Sequence, residues 1–354
     1  MGLPSAGRRL VTIFDRDAVA LRAAPLLAAF QERGDELLVH AETTSNTAAG
    51  DHWVDTVQLQ HGEAQIGALL DREKPDAVLV LGDTNDTLAG ARAAAERFLP
   101  LIHVDAGLRT HRSDLPDECN RVLTDHMSDL LLAPTRTAHE NLLAEGVSGQ
   151  THLAGDVTAD ALAHTAARLP DIAPADEYVL AAIHDADAAD NDARAAALVT
   201  CLHAISGTVL LSLHSRARER FRAAGVELPA NVTALDAAPY RHVLALERSA
   251  RAIVTDAAAV QRDAYLWGVP CVTLRDETVW DETVRTGWNV LVGVDRGGLR
   301  AALRRPTPRE RPPIFGDGHA AERIAAIVAN FVAAPRPRAA DSPSLHAVNE
   351  MSGP

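Results

Sequence analysis

"DAVLVLGDTNDTLAGARAAAERFLPLIHVDAG", residues 76–107, contains two apolar runs separated by one amphipathic segment. Neither run alternates polar and apolar residues as a half-exposed strand does, so both are predicted to be strands buried on two faces. The segment between them has the spacing of a helix. A buried strand, a helix and a second buried strand predict a parallel sheet covered by helices on both sides.

The same alternation extends in both directions from this stretch. Apolar and amphipathic segments follow one another from "RRLVTIF" near the N-terminus to "THLAG", which ends at Gly155. A segment rich in Pro and Asp, residues 160–177, interrupts the pattern, which restarts with "YVLAAIH" at Tyr178. The sequence therefore predicts an α/β protein with two doubly wound domains that face each other across a cleft.

The composition narrows the classes of function. The net charge of −14 argues against nucleic acid as a partner, because phosphate binding needs a basic surface. The three cysteines do not have metal-ligand spacing, and the chain lacks G-x-G-x-x-G, so we expect neither a metal nor a nicotinamide cofactor. The apolar run "LVTIF" is too short for a membrane span, and we expect a cytoplasmic protein.

Polar residues recur where the predicted strands end. Asp83 and Asp105 follow two strands of the first half, and His184, His214 and Asp256 follow strands of the second half. A single residue of this kind can simply cap the next helix. Because parallel strands end at the same edge of a sheet, the repeated pattern predicts a site in the cleft between the domains.

Several longer motifs resemble those of the UDP-N-acetylglucosamine 2-epimerases. "GDTNDTLAG", "HVDAGLRT", "PDECNRVLTDHMSD" and "GDVTADAL" are similar to the family patterns GDT-x-(S/T)-T-LAG, HVEAGLR, PEE-x-NR-x-LTDH-x-(S/A)-D and G(D/N)-x-x-x-DAL. The resemblance covers about residues 10–330 and is most specific over 82–165. It implies two Rossmann-like domains of the GT-B type, in agreement with the alternation of strands and helices.

The resemblance also implies a domain division. An N-terminal domain at 1–165 carries the catalytic carboxylates, and a C-terminal domain at 175–315 binds the nucleotide. A C-terminal helix at 316–334 packs near the domain junction. The tail, 335–354, loses all periodicity and is predicted to be disordered.

The implied activity is the interconversion of UDP-GlcNAc and UDP-ManNAc in a homodimeric isomerase. UDP leaves by anti elimination, a carboxylate takes the C2 proton, and a 2-acetamidoglucal is the intermediate. Carried over by position, the catalytic residues are Asp83, Asp105, Asp117, Arg121 and His184. The implied substrate-binding residues are Arg22, His214, Arg216, Ala257, Ala258, Ala259, Asp263, Thr278, Trp280 and Glu282.

The chain departs from the family pattern at the expected site. Asp105 and Asp117 replace glutamates, which withdraws each carboxylate by about 1 Å, a distance that matters for proton transfer. The family's DSGG-x-QEE loop is "DAAAVQRDA" here, so Ala258 and Ala259 replace glycines that approach the diphosphate, and Asp263 replaces a ribose-binding glutamate.

Two further departures concern specificity and regulation. Trp280 replaces the arginine of the family's TERPE motif, and it can stack on a base or only close the pocket. "ETTSN" replaces a QH pair that the family associates with an allosteric site, which predicts hyperbolic kinetics.

Three functions remain open at the level of sequence. The first is a non-hydrolysing UDP-GlcNAc 2-epimerase. The second is a family member with an altered substrate or outcome, such as a hydrolysing epimerase or a sugar-nucleotide enzyme of antibiotic or secondary metabolism. The third is a sugar-nucleotide-binding protein without turnover, although the cluster of carboxylates argues against it.

Overall fold

The strands form two parallel sheets in the computed structural model, which describes residues 8–15, 17–42, 56–57, 63–183, 192–213, 217–219, 221, 227–235 and 239–334. The strands of the first sheet are β1 (Arg9–Asp15), β2 (Glu36–Glu42), β3 (Thr56–Val57), β4 (Ala77–Leu81), β5 (Leu101–Val104), β6 (Leu130–Ala133) and β7 (Gln150–Leu153). Their order is β3-β2-β1-β4-β5-β6-β7. The reversal of strand order between β1 and β4 is that of a doubly wound sheet.

The second sheet repeats this arrangement. Its strands are β8 (Tyr178–Ile183), β9 (Thr208–Leu213), β10 (Val232–Ala234), β11 (Ala252–Thr255), β12 (Cys271–Thr273) and β13 (Asn289–Leu291). Their order is β10-β9-β8-β11-β12-β13, with the reversal between β8 and β11. The predicted fold class, two doubly wound α/β domains of the GT-B type, is therefore confirmed.

Helices connect the strands and cover both faces of each sheet. In the N-terminal domain they are α1 (Asp17–Glu32), α2 (Glu63–Glu73), α3 (Asn85–Glu96), α4 (Pro116–Met127), α5 (Arg136–Glu145) and α6 (Val157–Thr165). In the rest of the chain they are α7 (Asp192–Leu202), α8 (Tyr240–Ser249), α9 (Ala258–Trp267), α10 (Asp281–Arg285), α11 (Arg296–Ala302) and α12 (Ala320–Ala333).

The C-terminal helix α12 returns to the N-terminal domain. Its buried face, which includes Ile324 and Val328, belongs to the same core as Leu26 and Phe30 of α1. Its N-terminus is held by Asp160 of α6, whose carboxylate oxygens accept hydrogen bonds from the backbone of the first residues of α12 at 3.2 Å. The predicted disordered tail, 335–354, lies outside the described residues.

The stretch that predicts the fold forms as expected. All residues of β4 and β5 are buried. Thr84 caps α3, because its side chain accepts a hydrogen bond from the backbone of Thr87. Gly90 lets α3 approach the sheet closely, since a side chain there would press on Ile13 of β1. None of the helices described is long and apolar enough to cross a membrane.

Candidate active site

The two carboxylates predicted from the first sheet lie at adjacent strand ends. Leu81 of β4 pairs with Val104 of β5, so the residues that follow them leave the sheet side by side. Asp105 is buried and has a positive φ of 68°, a conformation that Asp adopts more readily than most residues. The sheet therefore brings Asp83 and Asp105 to one edge.

Arg121 connects Asp83 to a second carboxylate. Its Nη1 forms an ion pair with Asp83, and its Nε and Nη2 donate to Glu118 Oε2 at 3.1 and 3.0 Å. The side chains of Arg121 and Glu118 are buried, whereas that of Asp83 is about one third exposed, at 37%. Asp83 is thus the member of this network that a ligand can reach.

Glu118 orients the loop that precedes α4. Its carboxylate accepts hydrogen bonds from the backbone of Thr110 at 3.0 Å and of His111 at 2.7 Å. Burial alone would raise the pKa of Glu118, but these hydrogen bonds and the charge of Arg121 lower it below its ordinary value. Glu118 therefore stays ionised and fixes both the loop and Arg121.

Asp117, the residue predicted to be catalytic in this motif, lies one position earlier, in the first turn of α4, and is exposed. The network formed by Asp83, Glu118 and Arg121 was not predicted, because the sequence does not show which of two neighbouring carboxylates turns inward. The helical spacing of Glu118 and Arg121, three residues apart, is the signal that could have found it.

A buried ionic cluster supports the strand ends from below. Asp125 of α4 pairs with His103 Nδ1 at 2.6 Å and with Arg109 Nη1 at 2.7 Å, and Gly107 N donates to it at 3.0 Å. His103 Nε2 lies 2.9 Å from the carbonyl oxygen of Gly82. Burial opposes a charged imidazole, but Asp125 outweighs it, so the pKa of His103 is raised. The pKa of Asp125 is lowered despite burial, because two cations face it.

Helix α9 presents an uncapped N-terminus. Its capping position is Ala257, which has no side-chain acceptor, and the first helical hydrogen bond in this turn is made by Gln261 N to Ala257 O at 3.2 Å. The N–H groups of residues 258–260 precede it and have no partner within the helix. Ala258 and Ala259 are exposed, so this helix end is open to an anionic group.

The residues predicted from the C-terminal part of the motif lie close to this helix. Thr278 donates to Gln261 at 2.6 Å, and Trp280 is buried, with its indole N–H donating to Ala258 O at 2.8 Å. Glu282 Oε1 accepts a hydrogen bond from Thr137 N, the first turn of α5, at 3.1 Å. Glu282 therefore ties the C-terminal domain to the N-terminal one.

Two of these residues, Trp280 and Asp263, are enclosed by other side chains. Trp280 packs edge-on against Phe315 with a centroid distance of 5.2 Å, so its ring lies in an internal aromatic cluster rather than open to a base. Asp263 is completely buried, and the hydroxyl of Tyr240 donates to its Oδ2 at 2.5 Å. Because Tyr240 and the core enclose it, Asp263 is not open to a ribose here.

The structure does not describe the side chains of four predicted residues. His184, His214 and Arg216 lie outside the described residues, and for Arg22 only its place in α1 is described. Arg262 of α9, which was not predicted as a site residue, is buried and pairs with Asp156 at the start of α6. In the described parts of the chain, no group of three or more His, Cys, Asp or Glu side chains is arranged to hold a metal ion.

Comparison with known proteins assigns the family. The family model described as UDP-N-acetylglucosamine 2-epimerase matches residues 41–329, which is most of the chain. The chain belongs to the UDP-N-acetylglucosamine 2-epimerase family, and the resemblance seen in its motifs is thereby confirmed. Two of its relatives are named as 2-epimerases of UDP-linked sugars.

The relatives differ in the sugar they are named for. The UDP-2,3-diacetamido-2,3-dideoxy-D-glucuronate 2-epimerase of Pseudomonas aeruginosa is 38% identical over 272 residues, covering 73% of this chain and 76% of that protein. The UDP-N-acetylglucosamine 2-epimerase of Methanocaldococcus jannaschii is 34% identical over 304 residues, covering 80% and 82%. Relatives that are named for two different UDP-linked sugars thus match this chain at similar sequence identity.

Solved structures agree on the fold. The crystal structure of Methanocaldococcus jannaschii UDP-GlcNAc 2-epimerase in complex with UDP-GlcNAc and UDP superimposes with a TM-score of 0.82 at 28% identity, over 91% of this chain and 99% of that one. A spinosyn rhamnosyltransferase, 14% identical, shares the fold with a TM-score of 0.51, covering 92% of this chain and 99% of that one.

Proposed function

We propose that this protein catalyses epimerisation at C2 of a UDP-linked 2-acetamido sugar, with UDP-GlcNAc and UDP-ManNAc as the reacting pair. The observation that carries the proposal is the pair of carboxylates, Asp83 and Asp105, at adjacent strand ends of one domain. The second domain supplies an uncapped helix N-terminus, that of α9. Bases and an anion site on separate domains suit a substrate that loses a proton from one carbon while a diphosphate leaves the neighbouring carbon.

The proposed mechanism is elimination followed by re-addition. A carboxylate of the Asp83 and Asp105 pair takes the C2 proton, the electrons of the C–H bond form the C1–C2 double bond, and the C1–O bond breaks to release UDP. The N–H groups at the start of α9 stabilise the developing diphosphate charge. Protonation of C2 on the opposite face and return of UDP to C1 give the epimer without net consumption of any reactant.

A second candidate keeps this chemistry but changes the sugar. The relative from Pseudomonas aeruginosa is named for a UDP-linked 2,3-diacetamido uronate. The identity of this relative to the chain, 38% against 34% for the Methanocaldococcus jannaschii UDP-N-acetylglucosamine 2-epimerase, supports this candidate. A hydrolytic outcome, which releases the free sugar, is the other variant of the same proposal.

The test is a comparison of substrates with product identification. Purified protein is incubated with UDP-GlcNAc and, separately, with the UDP-linked diacetamido uronate, and products are separated by anion-exchange chromatography. We expect the manno epimer as a nucleotide sugar from UDP-GlcNAc. Turnover of the uronate alone would replace this proposal with the second candidate, and free N-acetylmannosamine would identify a hydrolase. Binding of UDP without any turnover would leave a binding protein.

We further propose a cytoplasmic homodimer and, for the altered-substrate candidate, a role in antibiotic or secondary sugar metabolism. Two exposed apolar side chains, Phe98 after α3 and Leu123 on α4, support a dimer face on the N-terminal domain, since these helices pack side by side. Light scattering coupled to gel filtration gives the mass directly. A monomer at micromolar concentration would contradict the dimer.

A further inference from the structure

Arg262 is a buried cation that reaches from the C-terminal domain into the N-terminal one. It belongs to α9, and its side chain is only 1% exposed. Its Nη1 lies 3.0 Å from Asp156 Oδ2 and 3.7 Å from Asp105 Oδ2. One guanidinium group therefore serves two carboxylates of the other domain, and one of them is a proposed base.

The two contacts differ in strength. Asp156 is fixed independently, because its other oxygen caps α6 by accepting a hydrogen bond from Thr158 N at 2.7 Å. The distance of 3.0 Å between Arg262 and Asp156 is that of a charge-assisted hydrogen bond, whereas 3.7 Å to Asp105 is an attraction between charges without a hydrogen bond. Asp156 thus anchors Arg262, and Arg262 attracts Asp105 without binding it tightly.

A third contact of Arg262 is with the aromatic ring of Trp280. Its guanidinium carbon lies 5.2 Å from the ring centroid of Trp280, within the range of a cation–π interaction. The same indole donates its N–H to Ala258 O, in the first turn of α9, at 2.8 Å. That hydrogen bond does not involve the guanidinium group, so the N-terminus of α9 is expected to keep its place when Arg262 is replaced.

Packing alone does not account for an arginine at this position. Its Nε and Nη2 are buried and have no hydrogen-bond partner among the described residues. Buried donors without acceptors cost free energy, and a buried ion pair adds little net stability compared with apolar residues of the same volume. Arg262 Nε also lies 4.0 Å from Asp263 Oδ1, so the guanidinium group faces three buried carboxylates, of which Asp105 is the one proposed to act on the sugar.

We propose that Arg262 is a positioning residue, which orients the carboxylate of Asp105 towards C2 of the sugar through a contact that exists only when the two domains meet. This inference rests on the proposed function, since it assumes that Asp105 takes part in the proton transfer. At 3.7 Å the guanidinium group attracts the carboxylate of Asp105 without a hydrogen bond, so the carboxylate can still turn to the substrate. Arg262 remains paired with Asp156 while it does so.

The test compares Arg262→Gln with wild type in kcat, KM and UDP affinity. A carboxylate misplaced by about 1 Å loses on the order of 100-fold in rate. We therefore expect kcat to fall by about 10- to 100-fold, with KM and the Kd for UDP changed by less than about threefold, which is below 1 kcal/mol. Arg262→Lys, which keeps the charge without the planar fork, should recover part of the loss. Arg248→Gln is the matched control, because Arg248 also bonds outside its domain, to Ala166 O at 2.7 Å, and is expected to keep wild-type kinetics.

Asp156→Asn is the second variant, in case Arg262→Gln does not fold. Asn keeps the cap of α6 but loosens Arg262, so kcat should fall while KM stays constant. A wild-type kcat in Arg262→Gln or, where that variant does not fold, in Asp156→Asn overturns the inference and leaves the proposed function intact. A parallel loss of kcat and UDP affinity overturns it as well, since that indicates a merely structural role. Absence of turnover of any UDP sugar by the wild type overturns the proposed function itself.

Discussion

Arg121 holds two carboxylates together in the N-terminal half of the proposed site. It pairs with Asp83 and, through two nitrogens, with Glu118. Arg121→Lys replaces a planar fork by one ammonium group, which cannot hold both carboxylates in the same geometry. We expect kcat to fall about 100-fold, as for other misplaced catalytic groups, with little change in UDP affinity.

The control for Arg121→Lys is a bidentate pair of the same type on the surface. Arg97, which directly follows α3, donates to both oxygens of Asp71 at 2.8 and 3.0 Å, at the end of α3 opposite to Asp83. Arg97→Lys should leave kcat unchanged in the same steady-state assay. Equal activity of Arg121→Lys and wild type would remove Arg121 from the site.

Asp105 shows why restoring the family's residue is not expected to improve this enzyme. The family pattern has glutamate here, but the backbone has a φ of 68°, which Asp tolerates better than Glu. We expect Asp105→Glu to lower stability by about 1 kcal/mol. The longer side chain would also move the carboxylate relative to Arg262, so kcat should fall about tenfold or more. Thermal unfolding and steady-state kinetics measure both, and a variant that is more active than wild type would contradict the expectation.

For single residues, the sequence predicts which residue types the site contains but not which of them face inward. Asp83 and Asp105 follow from strand ends, because the ends of parallel strands share an edge. Glu118 rather than its neighbour turns inward because α4 begins at Pro116, and a helix start is uncertain by one or two residues from sequence. Arg262 depends on contact between the two domains, and no local pattern contains that information.

Helix α9 carries the element-scale prediction. The N–H groups of its first turn are accessible although this turn contains no glycine. Ala258 and Ala259 are helical residues with exposed side chains. We expect the natural protein to bind UDP with a Kd below about 1 mM, and the double variant Ala258→Gly/Ala259→Gly to change that Kd by less than about tenfold, or 1.4 kcal/mol. Its melting temperature should fall slightly, since glycine in the middle of a helix costs about 0.5–1 kcal/mol and both positions lie in the first turn, where the cost is smaller.

Titration calorimetry with UDP separates the two possibilities for this helix. Binding that appears only in the glycine variant means that the alanine methyl groups occupy the volume of a diphosphate. In that case the diphosphate site proposed for α9 fails, and a differently activated sugar becomes the better substrate hypothesis.

Most elements were predictable because their apolar periodicity is strong. The buried strands β4, β5, β6 and β8 are continuous apolar runs, and Thr84, Thr135 and Asp156 cap the helices that follow strands. The burial of Asp263 was not predictable, because it depends on Tyr240 of another helix, α8. Periodicity identifies a face of a helix, whereas the neighbour of that face is set by packing.

The buried pair of His103 and Asp125 gives a prediction for the stability of the whole molecule. The folded state raises the pKa of His103, so it holds the proton more tightly than the unfolded state. This contribution is complete below the ordinary histidine pKa of about 6.5 and is lost as pH rises through the folded value. The free energy of unfolding should therefore fall above about pH 6.5, by up to about 1.4 kcal/mol per pH unit from this proton, and the melting temperature should fall with it.

His103→Gln isolates that contribution. The variant should be less stable than wild type at pH 6, and the difference should shrink towards alkaline pH, in melting curves recorded from pH 5.5 to 9. His164→Gln, on an exposed position of α6, is the control and should follow the wild type at every pH. A stability difference for His103→Gln that is constant over this range would show that the imidazole is buried in its neutral form.

The central claim, that Asp83 and Asp105 exchange the C2 proton of a UDP sugar, is tested most directly by incubating the protein with UDP-GlcNAc in deuterated water and following C2 by proton NMR. We predict deuterium at C2 of both UDP-GlcNAc and its manno epimer. Exchange should fall at least about 100-fold in Asp83→Asn and in Asp105→Asn, while both variants still bind UDP. Epimer without deuterium, or undiminished exchange in both variants, would contradict the account.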